Sequence, residues 1–105
     1  MNDILSELSK AIKIRKKYSS NESYTASLIN SGTEKCAKKF GEEAVELVIA
    51  ALGEDLESFN SEVADTLYHL LVLIESRDAD LNDILSILAQ RQTMSGHAEK
   101  ASRKN

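Results

Sequence analysis

The chain has 105 residues, 42% of them hydrophobic and 29% charged, with a formal net charge of −4, which is room for one domain of ordinary globular composition and little else. Its longest uninterrupted apolar run, Leu47–Leu52, falls far short of the roughly twenty residues of a membrane span, and its bases are not gathered around aromatic residues as on a nucleic-acid face. A lone cysteine, Cys36, excludes an internal disulfide and any multi-cysteine zinc site, and no basic-then-apolar leader opens the chain, so the cytoplasm is the expected compartment.

Proline is absent, and Gly32, Gly41, Gly53 and Gly96 supply most of the punctuation. The pattern predicts an all-α fold, an antiparallel helical bundle of about four main helices. It forms a single domain over residues 1–105, completed by dimerisation, because so short a chain buries little more than half its unfolded surface. A first helix is expected from about Asn2 to Lys17, where Ile4, Leu5, Leu8, Ala11, Ile12 and Arg15 follow helical spacing. Asn2 or Asp3 is its candidate cap, and its last turn is basic, as the helix dipole favours. After a polar loop, Tyr24–Ile29 forms a short helix ended by Gly32. A second long helix runs from Thr33 to Leu52, with Ser31 and Glu34 at capping-box spacing and Gly53 as its stop. Gly41 inside it marks either a close approach by a backbone or ligand, or simple tolerance. A third long helix spans about Glu54 to Ser76, Arg77–Ala79 is a turn, and a last helix runs from Asp80 to about Gln90 with Leu81, Ile84, Leu85, Ile87 and Leu88 as its apolar set. Residues 92–105 read as a polar tail, mobile in part.

At 100° per residue, Phe40, Ala44, Leu47, Val48 and Ala51 form the expected buried stripe of the second long helix. Leu56, Phe59, Val63, Leu67, Leu70 and Ile74 form that of the third. The third is apolar almost all round near its end, as a helix buried on several sides would be, by its own chain and by a partner.

Charge is unevenly spread. Residues 42–83 carry twelve acids and one base, Arg77, whereas residues 1–41 carry eight bases and four acids. Acids among core-forming residues are costly unless the basic ends of the chain or a metal cation answers them, or unless they form a solvated face. Their spacing is informative. Glu42-Glu43-x-x-Glu46 on the second long helix and Glu62-x-x-Asp65 on the third each project a pair of carboxylates from one face. The short Gly53–Asp55 connection makes the two helices antiparallel neighbours, and at ~1.5 Å rise per residue both pairs fall at nearly the same height. Glu43, Glu46, Glu62 and Asp65 thus converge in one groove, where an oxygen-only donor set suits Mg²⁺ or Mn²⁺. The competing reading is a pair of salt-bridged outer faces, Lys39 with Glu43 or Lys38 with Glu42, but the third helix offers no base before Arg77.

Lys35 and Lys39 lie one turn apart on the side that carries Glu46, either as phosphate-binding charges or as ordinary surface pairs. Lys13, Arg15, Lys16 and Lys17 form a basic helix end or face an anionic ligand. His69 reads as a satisfied interior histidine, His97 is unsupported by neighbouring ligands, and Cys36 reads as a small buried residue.

The run Ser23-Tyr24-Thr25-Ala26-Ser27-Leu28, with Ser31-Gly32-Thr33 and Lys39-Phe40-Gly41-Glu42-Glu43 through Glu46, closely resembles the phosphoribosyl-ATP pyrophosphohydrolase family of histidine biosynthesis. So do Glu62-x-x-Asp65 with Leu67-Tyr68-His69-Leu70-Leu71-Val72-Leu73, and Ser95-Gly96 with Glu99-Lys100-Ala101-Ser102-Arg103. The carboxylate pattern alone indicates only the wider all-α nucleotide pyrophosphohydrolase superfamily, which includes MazG-type enzymes. The resemblance implies a Mg²⁺-dependent cytoplasmic hydrolase, usually a homodimer, that converts phosphoribosyl-ATP to phosphoribosyl-AMP and pyrophosphate. It implies Glu43, Glu46, Glu62 and Asp65 as metal ligands, Glu42 nearby as a ligand or base, and Lys35 and Lys39 facing phosphate. The cyclohydrolase domain fused to many members has no counterpart in these residues, so the next step is expected to fall to a separate protein. In the mechanism this implies, Glu42 or Glu43 takes the proton of the attacking water. Two rivals remain: a house-cleaning nucleoside triphosphate pyrophosphohydrolase, and a non-catalytic helical dimerisation module.

Overall fold

A computed structural model describes residues 3–53 and 55–93. Within them the regular structure is helical throughout: α1 (Ile4–Arg15), α2 (Tyr24–Asn30), α3 (Thr33–Gly53), α4 (Leu56–Ser76) and α5 (Leu81–Arg91). Of the expected tail, Gln92 caps the end of α5, and residues 94–105, with His97 and the Ser95-to-Arg103 segment, lie outside the described residues.

Local chemistry sets the boundaries. Ser23 caps α2 by accepting the Ala26 N–H at 3.2 Å. Asp55 caps α4 by accepting the Ser58 N–H at 2.7 Å, and this bond holds its carboxyl below the usual range. Asp80 caps α5 through the Asn82 N–H. Asp3 occupies the cap position of α1 without a side-chain cap bond. The Ser31–Glu34 capping box does not form. Ser31 still belongs to the last turn of α2, where its hydroxyl donates to the Ser27 carbonyl at 2.8 Å. The carbonyl that opens α3 belongs to Gly32, which accepts the Cys36 N–H. Gly32 has a φ of 98°, a backbone state open to glycine at little cost, and so lets two helices meet with almost no loop. A Cβ added to Gly41 would meet nothing within 4 Å, so among the described residues no other element approaches that glycine closely.

The frame of the molecule is the α3–α4 hairpin, the most extensive helix pairing among the described residues. Its contacts step in opposite directions along the two helices. Thr33 Oγ1 donates to the Ser76 carbonyl at 3.0 Å, Thr66 Oγ1 reaches the Glu43 carbonyl, and Ala50 lies beside Phe59. α1 packs on α4, and α2 lies across both long helices. The buried core comprises Ile12, Leu28, Cys36, Leu71 and Val72, with Leu8, Ile29, Tyr68, Leu73, Ile74 and Leu81 packed around it. Cys36 is an interior residue, as expected. Its thiol donates to the Leu28 carbonyl, and burial pushes its pKa up.

The buried face of each long helix is rotated from the expected stripe. On α4, Leu56 is 71% exposed and Leu67 and Leu70 are also exposed, while His69, Leu71, Val72 and Glu75 face inward. On α3, Val48 is exposed, and the buried residues are Cys36, Glu43 and Ala50. The cause is polar. His69, Glu75, Glu43 and Thr66 each find a partner on another element, and burying the opposite face would exchange those partners for water.

Glu75 is the clearest case. It is buried at the end of α4, with Lys13 Nζ 2.6 Å from Oε1 and Lys16 Nζ 2.6 Å from Oε2. Lys16 also reaches Asp78 at 3.1 Å. Two of the bases at the end of α1 are therefore engaged by this chain's own acids. Burial alone would raise the Glu75 pKa, but the two ammonium groups outweigh it and hold the carboxyl below its ordinary range. Lys16 is held above its ordinary value, first by its hydrogen bond to Glu75 and then by that to Asp78. A carboxyl with a lowered folded pKa adds stability above its unfolded pKa and loses it as pH falls through the folded one. Thermal melts of Glu75→Gln are therefore expected to show a loss of about 1–3 kcal/mol at neutral pH and a gap from wild type that narrows as acid is added. A gap independent of pH would show that the ion pairs are energetically idle.

Candidate metal centre

Half-way along the hairpin, α3 and α4 bring their acids together. Glu43, Glu62 and Asp65 each offer one carboxylate oxygen, and the three lie within 4.8 Å of one another. Glu43 is buried, Glu62 half-buried and Asp65 exposed, so the cluster grades from interior to solvent. Glu46, one turn along α3, joins it through Glu43. Its carboxyl pKa is raised, first by a hydrogen bond with Glu43 and then by the negative charge of Glu43, with Glu62 adding to the effect. Three of the four residues singled out by spacing, Glu43, Glu62 and Asp65, thus come together, and Glu46 stands beside them against Glu43.

Three features set this cluster apart from scattered surface acids. Glu62 Oε2 is buried and has no hydrogen-bond partner, a costly state for a carboxylate oxygen unless a cation or donor answers it. The donor set is oxygen only, the set suited to Mg²⁺ or Mn²⁺. Thr66, at the same level, has its hydroxyl 2.8 Å from the Glu62 carbonyl and 3.3 Å from that of Glu43. It therefore pins the two backbones that carry the acids.

A positive rim borders the cluster. Lys39 Nζ lies 3.6 Å from Glu43 Oε2. Its ammonium is held above the ordinary lysine range, first by the neighbouring Tyr24 phenol and then by Glu43. Lys35, Lys38, Lys39 and Glu42 line a small open depression of about 110 Å³ on the same helix. Glu42 lies outside the three-carboxylate group, among the lysines.

His69 is an interior histidine with partners on both ring nitrogens. Nδ1 is 2.9 Å from the Asp65 carbonyl oxygen, and Nε2 is 3.3 Å from the Tyr24 hydroxyl. Tyr68 stacks edge-on against it, with ring centroids 5.1 Å apart, and hydrogen-bonds Thr25 through its hydroxyl. Residue spacing did not pick out Thr66, Tyr24 or Thr25 as part of the site. The available signal was the polarity of Thr25 and Thr66 on helix faces that pack against other elements, with Thr66 four residues after Glu62.

Comparison with known proteins gives the family. Residues 5–92 match the family described as phosphoribosyl-ATP pyrophosphohydrolase. A protein of a Ruegeria species named phosphoribosyl-ATP pyrophosphatase is 49% identical over 100 residues, covering 95% of each chain. Proteins of the same name from Ruegeria pomeroyi and Rhizobium meliloti are 50% and 48% identical, covering 95% and 96% of this chain and 95% and 94% of their own. With that likeness spanning both long helices, the chain belongs to the phosphoribosyl-ATP pyrophosphohydrolase family.

Proposed function

We propose that this protein hydrolyses phosphoribosyl-ATP to phosphoribosyl-AMP and pyrophosphate, the second step of histidine biosynthesis, with Mg²⁺ (or Mn²⁺) held by Glu43, Glu46, Glu62 and Asp65. The observation that carries the reading is the meeting of three carboxylate oxygens within 4.8 Å, beside the unpartnered, buried Glu62 Oε2. When bound, the ion supplies charge neutralisation for phosphate oxygens and a more acidic water.

The chain supplies the rest. α3 and α4 hold the acids in register through Thr66, so little reorganisation is needed when substrate arrives. Lys35 and Lys39, on the rim, balance the charge that gathers on the departing pyrophosphate. Glu42 or Glu43 accepts the proton of the attacking water. Glu42, outside the carboxylate group, is free of ligand duty and suited to that task. Lys35, Lys38 and Lys39, gathered on the rim, draw a highly anionic substrate toward an otherwise acidic protein.

The homodimer is part of the same proposal. Val45, Val48, Ile49 and Leu52 form an exposed apolar stripe at helical spacing on α3, with Leu52 84% exposed, and a second copy would remove it from water. A monomeric mass by light scattering would rule that out. No described helix is long and apolar enough to cross a membrane.

The decisive assay is pyrophosphate release from phosphoribosyl-ATP under controlled Mg²⁺. Release is expected only with the ion present, and Glu46→Gln is expected to abolish it while the protein stays folded by circular dichroism. Full activity of that variant, or faster turnover of ordinary nucleoside triphosphates than of phosphoribosyl-ATP, would overturn the assignment.

A further inference from the structure

The polar contacts of His69 have a direction. A carbonyl only accepts, so the Nδ1 that lies 2.9 Å from the Asp65 oxygen carries the proton. Nε2 of the neutral ring is then an acceptor, and the Tyr24 hydroxyl 3.3 Å away donates to it. The ring is buried and has Tyr24 and Tyr68 edge-on to it, with centroids at 6.1 and 5.1 Å. Its Nδ1 also lies 3.9 Å from Glu43 Oε1. That is too long for a hydrogen bond but close enough to limit how the buried carboxylate turns. The other Glu43 oxygen faces Lys39.

We propose that Tyr24 and His69 are a positioning pair for the carboxylate cluster: the α2 hydroxyl fixes the orientation and tautomer of the α4 ring, and the ring holds Glu43 where its oxygen meets those of Glu62 and Asp65. Without the Tyr24 O–H, the ring is free to flip or to move its proton to Nε2. Either change removes the Nδ1 bond to the Asp65 carbonyl and releases the wall against Glu43. Partners one layer behind metal ligands typically govern affinity in this way. This inference rests on the reading of the carboxylates as a cation centre.

The test is a calorimetric titration of the substrate-free full chain with Mn²⁺. Tyr24→Phe keeps the ring and deletes only a hydroxyl on a residue that is 55% exposed. It is expected to weaken Mn²⁺ about tenfold with an unchanged metal-free melting temperature. His69→Asn keeps a donor near the Nδ1 position but cannot reach Tyr24, and is expected to weaken Mn²⁺ at least as much. Wild-type Mn²⁺ affinity in Tyr24→Phe overturns the pair while leaving the cation centre intact. An affinity loss that merely follows a lower melting temperature overturns it too. Failure of the wild-type chain to bind Mn²⁺ overturns both the centre and this inference.

Discussion

Glu62→Gln is expected to remove pyrophosphate release and, in the same protein, to raise the melting temperature measured without metal. Both effects follow from one atom. Glu62 Oε2 is buried without a partner, and the cluster brings Glu62 oxygen within 4.8 Å of carboxylate oxygens on Glu43 and Asp65. Two like charges at that distance repel by about 3 kcal/mol at an effective dielectric constant near 20, and by less where solvent screens the exposed Asp65. Glutamine keeps the shape and deletes the charge, so the metal-free protein gains about 1 kcal/mol, a rise of several degrees for a domain of this size. With Mg²⁺ at roughly a hundred times its dissociation constant the wild type gains about 2.7 kcal/mol, and the variant gains far less. Activity falls on the order of a hundredfold or more, the loss that follows when several kcal/mol of metal-derived stabilisation is removed. Melts with and without MgCl₂, alongside the release assay, read all three quantities. A variant that is less stable without metal would show that Glu62 serves the fold and not a cation.

The carboxylate site was legible because it depends on two things that sequence displays. Helical spacing pairs Glu43 with Glu46 and Glu62 with Asp65, and the short Gly53–Asp55 connection sets the two pairs at one height. The breaks at Gly32 and at Arg77–Ala79 were legible for the same reason, since local chemistry decides them. The rotation of α4 was not. A helix apolar nearly all round has no single preferred inner face, and its orientation is chosen by Thr66, His69 and Glu75, whose partners lie on other elements. Lys13 and Glu75 are separated by 62 residues, and nothing in the spacing of either announces the pair. Leu56, Leu67 and Leu70, the expected core of α4, face outward in the single chain. The apolar pattern therefore recorded surface beyond the intramolecular core, and the exposed α3 stripe at Val45, Val48, Ile49 and Leu52 tells the same story.

Ile12→Ala is expected to detach α1 and cost more than losing both of the lysines that tie the helix down. Ile12 has no exposed surface and is the buried residue of its helix. It belongs to one core cluster with Leu28, Cys36, Leu71 and Val72, and α1 packs on both α4 and α2. A helix of twelve residues is marginal alone in water, so the docking of α1 depends on this packing and on the clamp at Glu75. The two contributions differ in size. Truncating a buried isoleucine to alanine typically costs about 2–5 kcal/mol, because the cavity adds to the lost transfer energy. The side chains of Lys13 and Lys16 are 46% and 30% exposed, so each ammonium is screened by water and contributes about 1 kcal/mol or less, and Glu75, 7% exposed, relieves its burial by taking up a proton once both are gone. Against a total of about 5–15 kcal/mol for a domain of this length, the isoleucine alone decides whether α1 stays folded at growth temperature. Urea unfolding is expected to place Ile12→Ala well below Lys13→Ala/Lys16→Ala, and Ile12→Val, at about 0.5–1.5 kcal/mol, near wild type. If the double lysine variant were the less stable, the ion clamp and not the apolar contact would be what holds α1 in place.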